Sequence, residues 1–243
     1  IDGAGNICIT IGAAAKAQTA IAPDMPQAQA MAQIEADPIS LEIMWSRLVT
    51  VAEEMWQTVC RTAYSLIISE SQDFGCSILD ANGDNLAHSA RVMPVFNLTL
   101  PLVAKAILER YPADTLQPGD VLVCNDPWLC AGHLFDVAVI TPVFKEGWVV
   151  ALMGTVGHVG DIGGTRNGMK ATELYEEGLQ IPPMKLVRAG VENEDLFRIM
   201  GENIRDSQQV LGDIRSLIAA NATGAKRLEG FLDEYGLPDL TAL

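Results

Sequence analysis

Apolar residues recur at helical spacing in the segment that follows Asp37-Pro38. Asp37 can cap a helix, and Pro38 suits the first turn because proline lacks an N–H that would go unbonded there. The apolar stripe predicts one long amphipathic helix and core packing for both of its tryptophans. Its members are Leu41, Met44, Trp45, Leu48, Ala52, Met55, Trp56, Val59 and Ala63.

Three further segments also show helical patterns. Residues 97–111 form an amphipathic segment that Pro112 ends, with a predicted apolar face of Leu98, Val103, Ala104, Ile107 and Leu108. Asn193 is a capping residue for a helix that reaches about residue 203. A longer helix begins at Asp206 or Ser207 and ends near residue 235, where Gly236-Leu237-Pro238 is a stop signal.

Short apolar runs alternate with turn signals and predict strands at residues 74–79, 121–124, 137–144 and 148–156. The last two runs are separated only by Lys145-Glu146-Gly147, which predicts a β-hairpin with a three-residue loop. Both are apolar on successive residues, so we expect both faces of the sheet to be covered. The predicted fold class is mixed α+β: an antiparallel, hairpin-containing sheet packed with long amphipathic helices.

Pairing of the two hairpin strands predicts which residues at their ends lie opposite one another. If Phe144 pairs with Trp148 across the loop, Asp136 lies opposite Val156, and His158 emerges next along the same face. Directly opposed side chains lie about 5 Å apart, and the next pair on one face about 7 Å apart. The register therefore predicts that Asp136 and His158 lie close together at one end of the sheet.

His133 lies just before this strand, after Gly132, where the backbone is free to bend toward Asp136 and His158. Two imidazoles and one carboxylate are a common divalent-metal ligand set, which suits Zn²⁺, Mn²⁺ or Fe²⁺ better than Mg²⁺ or Ca²⁺. The alternative is a pair of hydrogen-bonded histidines at a sheet end.

A glycine-rich loop at residues 157–164 follows the hairpin and has neither Rossmann nor P-loop spacing. Gly160, Gly163 and Gly164 would allow backbone N–H groups to approach a bound phosphate or carboxylate, which makes them candidate cofactor-binding residues. Asp161 is a candidate catalytic residue, as a general base or a partner to a metal ligand. Its alternative role is that of a turn aspartate.

Other reactive side chains have simpler interpretations. Cys124 lies in an apolar strand and is predicted to be a packing residue. Cys130 is also interpreted as structural, although its position three residues before His133 would permit a soft ligand or nucleophile. His88 stands alone after a turn and is predicted to be a surface or structural residue. Residues 125–127, Asn-Asp-Pro, end a strand and are expected to support the loop that presents His133.

The composition and net charge of the chain indicate which kinds of molecule it can bind. The 243 residues are 49% hydrophobic and 19% charged, as in globular proteins, and acidic residues outnumber basic ones by 31 to 16. A net charge of −15 disfavours nucleic acid and anionic membrane surfaces but not a small-molecule substrate. No apolar run is long enough for a membrane helix. The five scattered cysteines suggest reduced thiols and a cytoplasmic protein.

The first 36 residues are rich in Ala, Gln and Met, and we expect an arm or linker with one short strand at residues 7–11. Residues 37–243 are expected to form the metal-binding domain. The chain begins with Ile and lacks a secretory signal, which suggests processing, truncation or a piece of something longer.

Combined motifs in residues 36–243 resemble the hydantoinase B/oxoprolinase family. The resemblance rests on Asp37-Pro38, 61–64, Asp73-Phe74, 125–128, 132–136, Gly157-His158, 161–164, 176–178 and 181–186. It implies an N-terminal portion of a longer family fold, since members are usually much longer. It also implies that His133, Asp136 and His158 match the metal ligands of the acetone carboxylase members.

The resemblance implies a function shared between two polypeptides. A kinase-like, hydantoinase-A-type subunit uses ATP to phosphorylate the substrate oxygen, and the hydantoinase-B-type polypeptide completes the reaction at its metal. We therefore expect a hetero-oligomeric hydrolase of cyclic amides such as hydantoin, oxoproline or a lactam. The alternatives are a ketone carboxylase of the acetone or acetophenone type and a non-catalytic assembly subunit.

Overall fold

The computed structural model describes residues 38–165 and 170–241, so the predicted arm and its short strand lie outside the described residues. The described part contains one seven-stranded antiparallel sheet and six α-helices, which confirms the mixed α+β class. The strands are β1 Phe74–Asp80, β2 Asn85–His88, β3 Val121–Cys124, β4 Asp136–Lys145, β5 Trp148–His158, β6 Met184–Arg188 and β7 Val191–Glu192. The helices are α1 Pro38–Thr62, α2 Leu66–Ser69, α3 Pro94–Arg110, α4 Leu174–Glu177, α5 Glu194–Asn203 and α6 Ser207–Tyr235, and Ala113–Thr115 forms a 3₁₀ turn.

The strands follow the order β2-β1-β5-β4-β3-β6-β7, which places the β4–β5 hairpin near the centre of the sheet. Helices α1 and α6 cover one face, where Val139 of β4 joins their apolar cluster. Helix α3 covers the other face, where Ala138 and Ile140 belong to its cluster. Successive residues of β4 thus enter opposite cores, which confirms that both faces are covered and explains the unbroken apolar sequence.

Several helix boundaries follow the predicted capping residues. Helix α1 begins at Pro38, as expected. The side chain of Asn193 accepts a hydrogen bond from the N–H of Leu196 at 3.3 Å and caps α5. Helix α6 ends at Gly236, whose φ of 64° is the left-handed conformation favoured at helix ends. Among the described residues, no helix combines the length and apolar character needed to cross a bilayer.

Two residues assigned to buried helix faces are exposed, so those assignments were wrong. Trp56 is buried and stacks on Phe74, but Trp45 is 44% exposed because it lies at the edge of the narrow α1 stripe. Leu98 is 74% exposed. Helix α3 begins three residues earlier than predicted and buries Phe96, from which Leu98 is turned about 200° around the helix axis.

The predicted three-residue hairpin loop is also wrong. Lys145 pairs with Trp148, which leaves a two-residue turn of Glu146 and Gly147. Both turn residues have positive φ, 52° and 88°, as expected for the tight turn whose twist matches that of antiparallel strands.

A bulge near Val143 shifts the pairing of β4 with β5 by one more residue relative to the predicted register. In the part of the hairpin beyond the bulge, away from the turn, Asp136 pairs directly with His158 and not with Val156. The two corrections move the pairing by two residues in total, and an even shift leaves every side chain on its predicted face. The prediction that Asp136 and His158 share a face is therefore confirmed, and they lie nearer than expected.

Close packing of α6 against the sheet and α1 depends on Gly224. A Cβ atom placed there would lie 2.8 Å from Met55 Cγ and 2.9 Å from Met153 Sδ, whereas Gly230 of the same helix has open space around it. We expect Gly224→Ala to be less stable than Gly230→Ala by about 1–3 kcal/mol, because both gain the same helix propensity but only the first is overpacked. Chemical denaturation measures this difference, and equal unfolding free energies would contradict it.

Candidate metal centre

The end of the central hairpin brings a carboxylate and an imidazole together. Asp136 is the first residue of β4, His158 is the last of β5, and the two are direct partners in the ladder. Asp136 is only 1% exposed, so its charge is removed from water and requires polar partners. The N–H of His158 donates to the carbonyl of Asp73 at 2.9 Å, which anchors the strand end that carries the imidazole.

Each oxygen of Asp136 faces a different imidazole. Oδ1 lies 3.1 Å from Nδ1 of His158, and Oδ2 lies 3.4 Å from Nδ1 of His133. One ligand atom from each of the three residues can be chosen so that all lie within 4.8 Å of one another. Ligand atoms bound at about 2.0–2.2 Å around one metal lie roughly 3–3.5 Å apart, so the cluster needs little movement to hold an ion.

The donor groups of this cluster fit a divalent ion chemically as well as spatially. Nδ1 of His133 is buried and within ion-pair distance of Asp136, yet it has no partner in hydrogen-bond geometry. A buried nitrogen without a partner is costly unless an ion or water completes it. Two imidazoles and one carboxylate are ligands that Zn²⁺, Mn²⁺ and Fe²⁺ accept.

The two imidazole rings make aromatic contacts with Phe135 and with each other. Phe135 stacks on His158, with ring centroids 5.5 Å apart and an angle of 11° between the planes. The same phenyl ring meets His133 edge-on at 6.0 Å, and the imidazole rings lie 5.0 Å apart at 90°. Phe135 therefore packs against both of the rings that face Asp136.

The hydrogen bond to Asp136 raises the pKa of His158 above its ordinary value, although partial burial of the ring opposes this effect. The carboxylate therefore favours positive charge at this position. A divalent cation placed between the same groups would benefit from the same field.

Asn125 supports the loop that carries His133, as predicted. Its buried side-chain amide donates to the carbonyl of Leu134 at 2.7 Å and to that of Leu179 at 3.0 Å. Its Oδ1 accepts from the N–H of Ile181 at 2.5 Å. One side chain thus joins the His133 loop to the segment that leads into β6.

The glycine-rich loop packs tightly against neighbouring backbone. Gly163 and Gly164 have φ of 88° and 59°. A Cβ at Gly163 would lie 2.8 Å from the carbonyl oxygen of Asn203, and one at Gly164 would meet the backbone of Glu176. These contacts require glycine for packing; binding of a ligand by Gly160, Gly163 and Gly164 stays a prediction.

Asp161 does not belong to the cluster of three side chains that could hold a metal ion. Its carboxylate accepts from the N–H and guanidinium of Arg205, both at 2.6 Å, and from the N–H of Gly163 at 3.3 Å. Arg205 also donates to the carbonyls of Gly163 and Gly164. These bonds hold the loop against the start of α6, and the general-base role stays a prediction.

The remaining candidates are not members of the three-residue cluster. Cys124 is fully buried, as predicted, and Cys130 is buried beside it. The hydrogen bond to Cys124 and burial raise the pKa of the Cys130 thiol well above its usual range, which disfavours the nucleophilic thiolate. The four described cysteines form no disulfide. His88 is exposed on β2, which agrees with the surface alternative, and its ring contacts Asn85 at 3.3 Å.

Three residues that complete this region were not assigned a role at the site from the sequence, although the first two lie in motifs that carry the family resemblance: Phe135, Glu177 and Arg205. Phe135 had a signal, since it lies between His133 and Asp136, but its contact with both rings depends on the loop conformation. Glu177 accepts from the N–H of Leu134 at 2.9 Å across 43 residues of chain. The sequence does not show which distant backbone group such a side chain contacts.

The model of the family described as hydantoinase B/oxoprolinase matches residues 37–243. This chain belongs to that family. A candidate B component of a D-/L-hydantoinase from Pseudomonas sp. (strain NS671) is 35% identical over 212 residues, which cover 85% of this chain and 36% of that protein.

Two solved structures share the fold. The ATP-dependent caprolactamase of Pseudomonas jessenii matches with a TM-score of 0.74 and 31% identity over 82% of this chain and 35% of its own. Nucleotide-free acetone carboxylase matches with a TM-score of 0.77 over 84% of this chain and 27% of its own, at 23% identity. The chain thus spans little more than a third of these relatives at most.

Substitution of Asn125 tests whether its buried hydrogen bonds support the loop that carries His133. We expect Asn125→Ala to lower the unfolding free energy by about 3 kcal/mol or more, because it leaves three buried backbone groups without their partner. Asn82→Ala, in an exposed turn, should change it by less than about 0.5 kcal/mol. Denaturation curves compare the two variants, and a similar small loss for both would show that Asn125 is not a support.

Proposed function

We propose that His133, Asp136 and His158 bind a catalytic divalent metal, with Zn²⁺, Mn²⁺ and Fe²⁺ as the candidates. The observation that carries this proposal is the buried Asp136 carboxylate, which directs one oxygen to each imidazole. A carboxylate buried between two histidines is costly unless opposite charge accompanies it. Three protein ligands also leave coordination positions for water or substrate, as catalytic metal sites require.

Such a metal supplies Lewis acidity toward a substrate oxygen and lowers the pKa of water. The chain's own residues orient this chemistry: Phe135 and Asn125 keep the ligands in place, and Glu177 anchors the backbone after His133. Asp161 is the proposed base that orients water or accepts its proton. The bonds to Arg205 would give that carboxylate one fixed orientation.

The proposed reaction is ATP-dependent hydrolysis of a cyclic amide, such as a hydantoin, oxoproline or a lactam. The support is membership of the family together with identities above 30% to a candidate hydantoinase component and to an ATP-dependent caprolactamase. In this proposal ATP is used by a hydantoinase-A-like kinase subunit, and the chain acts within a hetero-oligomer with that subunit.

The second candidate is ATP-dependent carboxylation of a ketone. It is favoured by the fold shared with acetone carboxylase, which has the higher TM-score of the two solved structures. Hydrolysis is preferred because the hydantoinase and caprolactamase relatives are more similar in sequence. A non-catalytic assembly role is the third candidate, and metal analysis separates it from both.

The metal proposal is tested with the chain's three histidines. We expect His133→Ala and His158→Ala to lose most of the bound metal and at least about a hundredfold in activity, since each removes one of three protein ligands. His88→Ala, on exposed β2, should keep both. Elemental analysis of the purified complex measures the metal, and equal metal content in all three variants would exclude this ligand set.

The reaction class is tested with the chain and its kinase-like partner purified together. We expect ATP consumption to accompany ring opening of a cyclic amide without added bicarbonate, because water is the only other reactant in hydrolysis. Product formation is followed with and without bicarbonate, and with acetone as the competing substrate. ATP use that requires both ketone and bicarbonate would instead establish the carboxylase.

A further inference from the structure

Asp73 lies opposite His158, on the side of that residue away from Asp136. Phe74 of β1 pairs with Gly157 of β5. The N–H of His158 donates to the carbonyl of Asp73 at 2.9 Å, which extends the same register by one residue. Side chains opposed in this way share a face of the sheet and lie about 5 Å apart. His158 is therefore flanked by two carboxylates, one from Asp136 and one from Asp73.

The backbone holds Asp73 in this position. Its N–H donates to the carbonyl of Ile67 at 3.2 Å, and its carbonyl accepts from His158. Gln72, the residue before it, has a φ of 58°, a left-handed conformation that residues other than glycine rarely adopt. The N–H of Phe74 closes this turn on the carbonyl of Gln72 at 2.9 Å. An uncommon turn thus places Asp73 at the start of β1.

The carboxylate of Asp73 has no hydrogen-bond or ion-pair partner among residues 38–165 and 170–241. The residue is half-buried, so its charge is only partly hydrated and is stabilised by a nearby donor or positive charge. By contrast, Asp161 is bonded to Arg205 through both carboxylate oxygens. Asp73 is therefore available to accept a hydrogen bond from the imidazole opposite it.

The imidazole of His158 has one nitrogen left for such a bond. Nδ1 lies 3.1 Å from Oδ1 of Asp136, within the cluster that could hold a metal ion. When one nitrogen of a neutral imidazole binds a metal, the other carries the proton and donates it to a carboxylate, a carbonyl or water. A metal at Nδ1 would therefore leave an Nε2–H group for Asp73.

Electrostatics agree with this placement of Asp73. The pKa of His158 is raised mainly by its hydrogen bond to Asp136, against the effect of burial, and the charge of Asp73 adds to the increase. Two neutral imidazoles and the Asp136 carboxylate would leave one charge of a divalent ion uncompensated. Asp73 compensates that charge without taking a coordination position, which keeps positions open for water or substrate.

We propose that Asp73 is a positioning residue, which accepts a hydrogen bond from the Nε2–H of metal-bound His158 and thereby strengthens metal binding. This role rests on the proposed metal centre and adds to it a partner beyond the three ligands. Asp73 acts through the imidazole ring and touches neither the metal nor the substrate.

The role is tested by the affinity of the purified complex for Zn²⁺ and Mn²⁺, measured by competition with a chelator. We expect Asp73→Ala to raise the metal Kd by about ten- to a hundredfold, because the ligating ring loses its outer partner. Asp73→Asn keeps an acceptor oxygen without the charge, so its Kd should lie between those of wild type and Asp73→Ala. Glu70→Gln removes an exposed charge from the same connection and should stay within about twofold of wild type.

Action through the ring is tested in a second background. His158→Ala weakens metal binding by itself, and we expect Asp73→Ala to weaken it no further there, because the ring through which it acts is gone. The metal-free complex should melt at the same temperature with and without Asp73→Ala, since the backbone bonds of residue 73 do not need its side chain. A lower melting temperature would show that the carboxylate supports the fold instead.

Other results overturn the positioning role and leave the metal centre standing. One is a wild-type metal Kd in Asp73→Ala, and another is an equal loss of affinity when Asp73→Ala is added to His158→Ala. A metal within coordination distance of the Asp73 carboxylate in the loaded complex would make that residue a ligand, which also contradicts the proposal. If His158→Ala binds metal as tightly as wild type, the proposed metal centre itself fails.

Discussion

The antiparallel pairing of β4 with β5 is the constraint on which the candidate centre depends. Pairing places Asp136 opposite His158 at one end of the hairpin, so a carboxylate and an imidazole meet without any loop having to position them. The tight turn at the other end and the bulge near Val143 set that register. A one-residue slip would turn one of the two side chains to the opposite face and abolish the site.

The rest of the fold keeps this hairpin rigid and its end polar. Helices α1 and α6 on one face and α3 on the other exclude water from both strands, so the hairpin cannot slip without exposing apolar side chains. At the end of the hairpin that carries Asp136 and His158, hydrogen bonds and ring contacts take the place of packed helices. They are made by Asn125, Glu177 and Phe135. Rigid strands therefore carry two proposed ligands, and a braced loop carries the third.

The fold class and most helix ends could be predicted from the sequence, because they depend on local periodicity and capping. The three clustered side chains could be predicted because the hairpin brings their positions to one end of the sheet. The sequence prediction missed the hairpin register by two residues, since turn length and bulges depend on strand twist and packing. The shared face of Asp136 and His158 survived because the error was even. Trp45 and Leu98 were misplaced because an apolar pattern does not show how wide a buried helix face is. Arg205 acts across a long stretch of chain and left no local signal, and Glu177 lies in the 176–178 motif, which did not show that its carboxylate bonds to Leu134.

Family membership and geometry together support the proposed metal centre, in a chain that covers about a third of the length of these relatives. The binding of one ion by His133, Asp136 and His158 is tested most directly by a crystallographic anomalous difference map of the metal-loaded complex, recorded at the absorption edge of the bound metal. We expect one peak within about 2.0–2.3 Å of an atom of each of these residues. A loaded metal whose peak lies elsewhere, with Asp136 bonded only to the two histidines, would contradict this assignment.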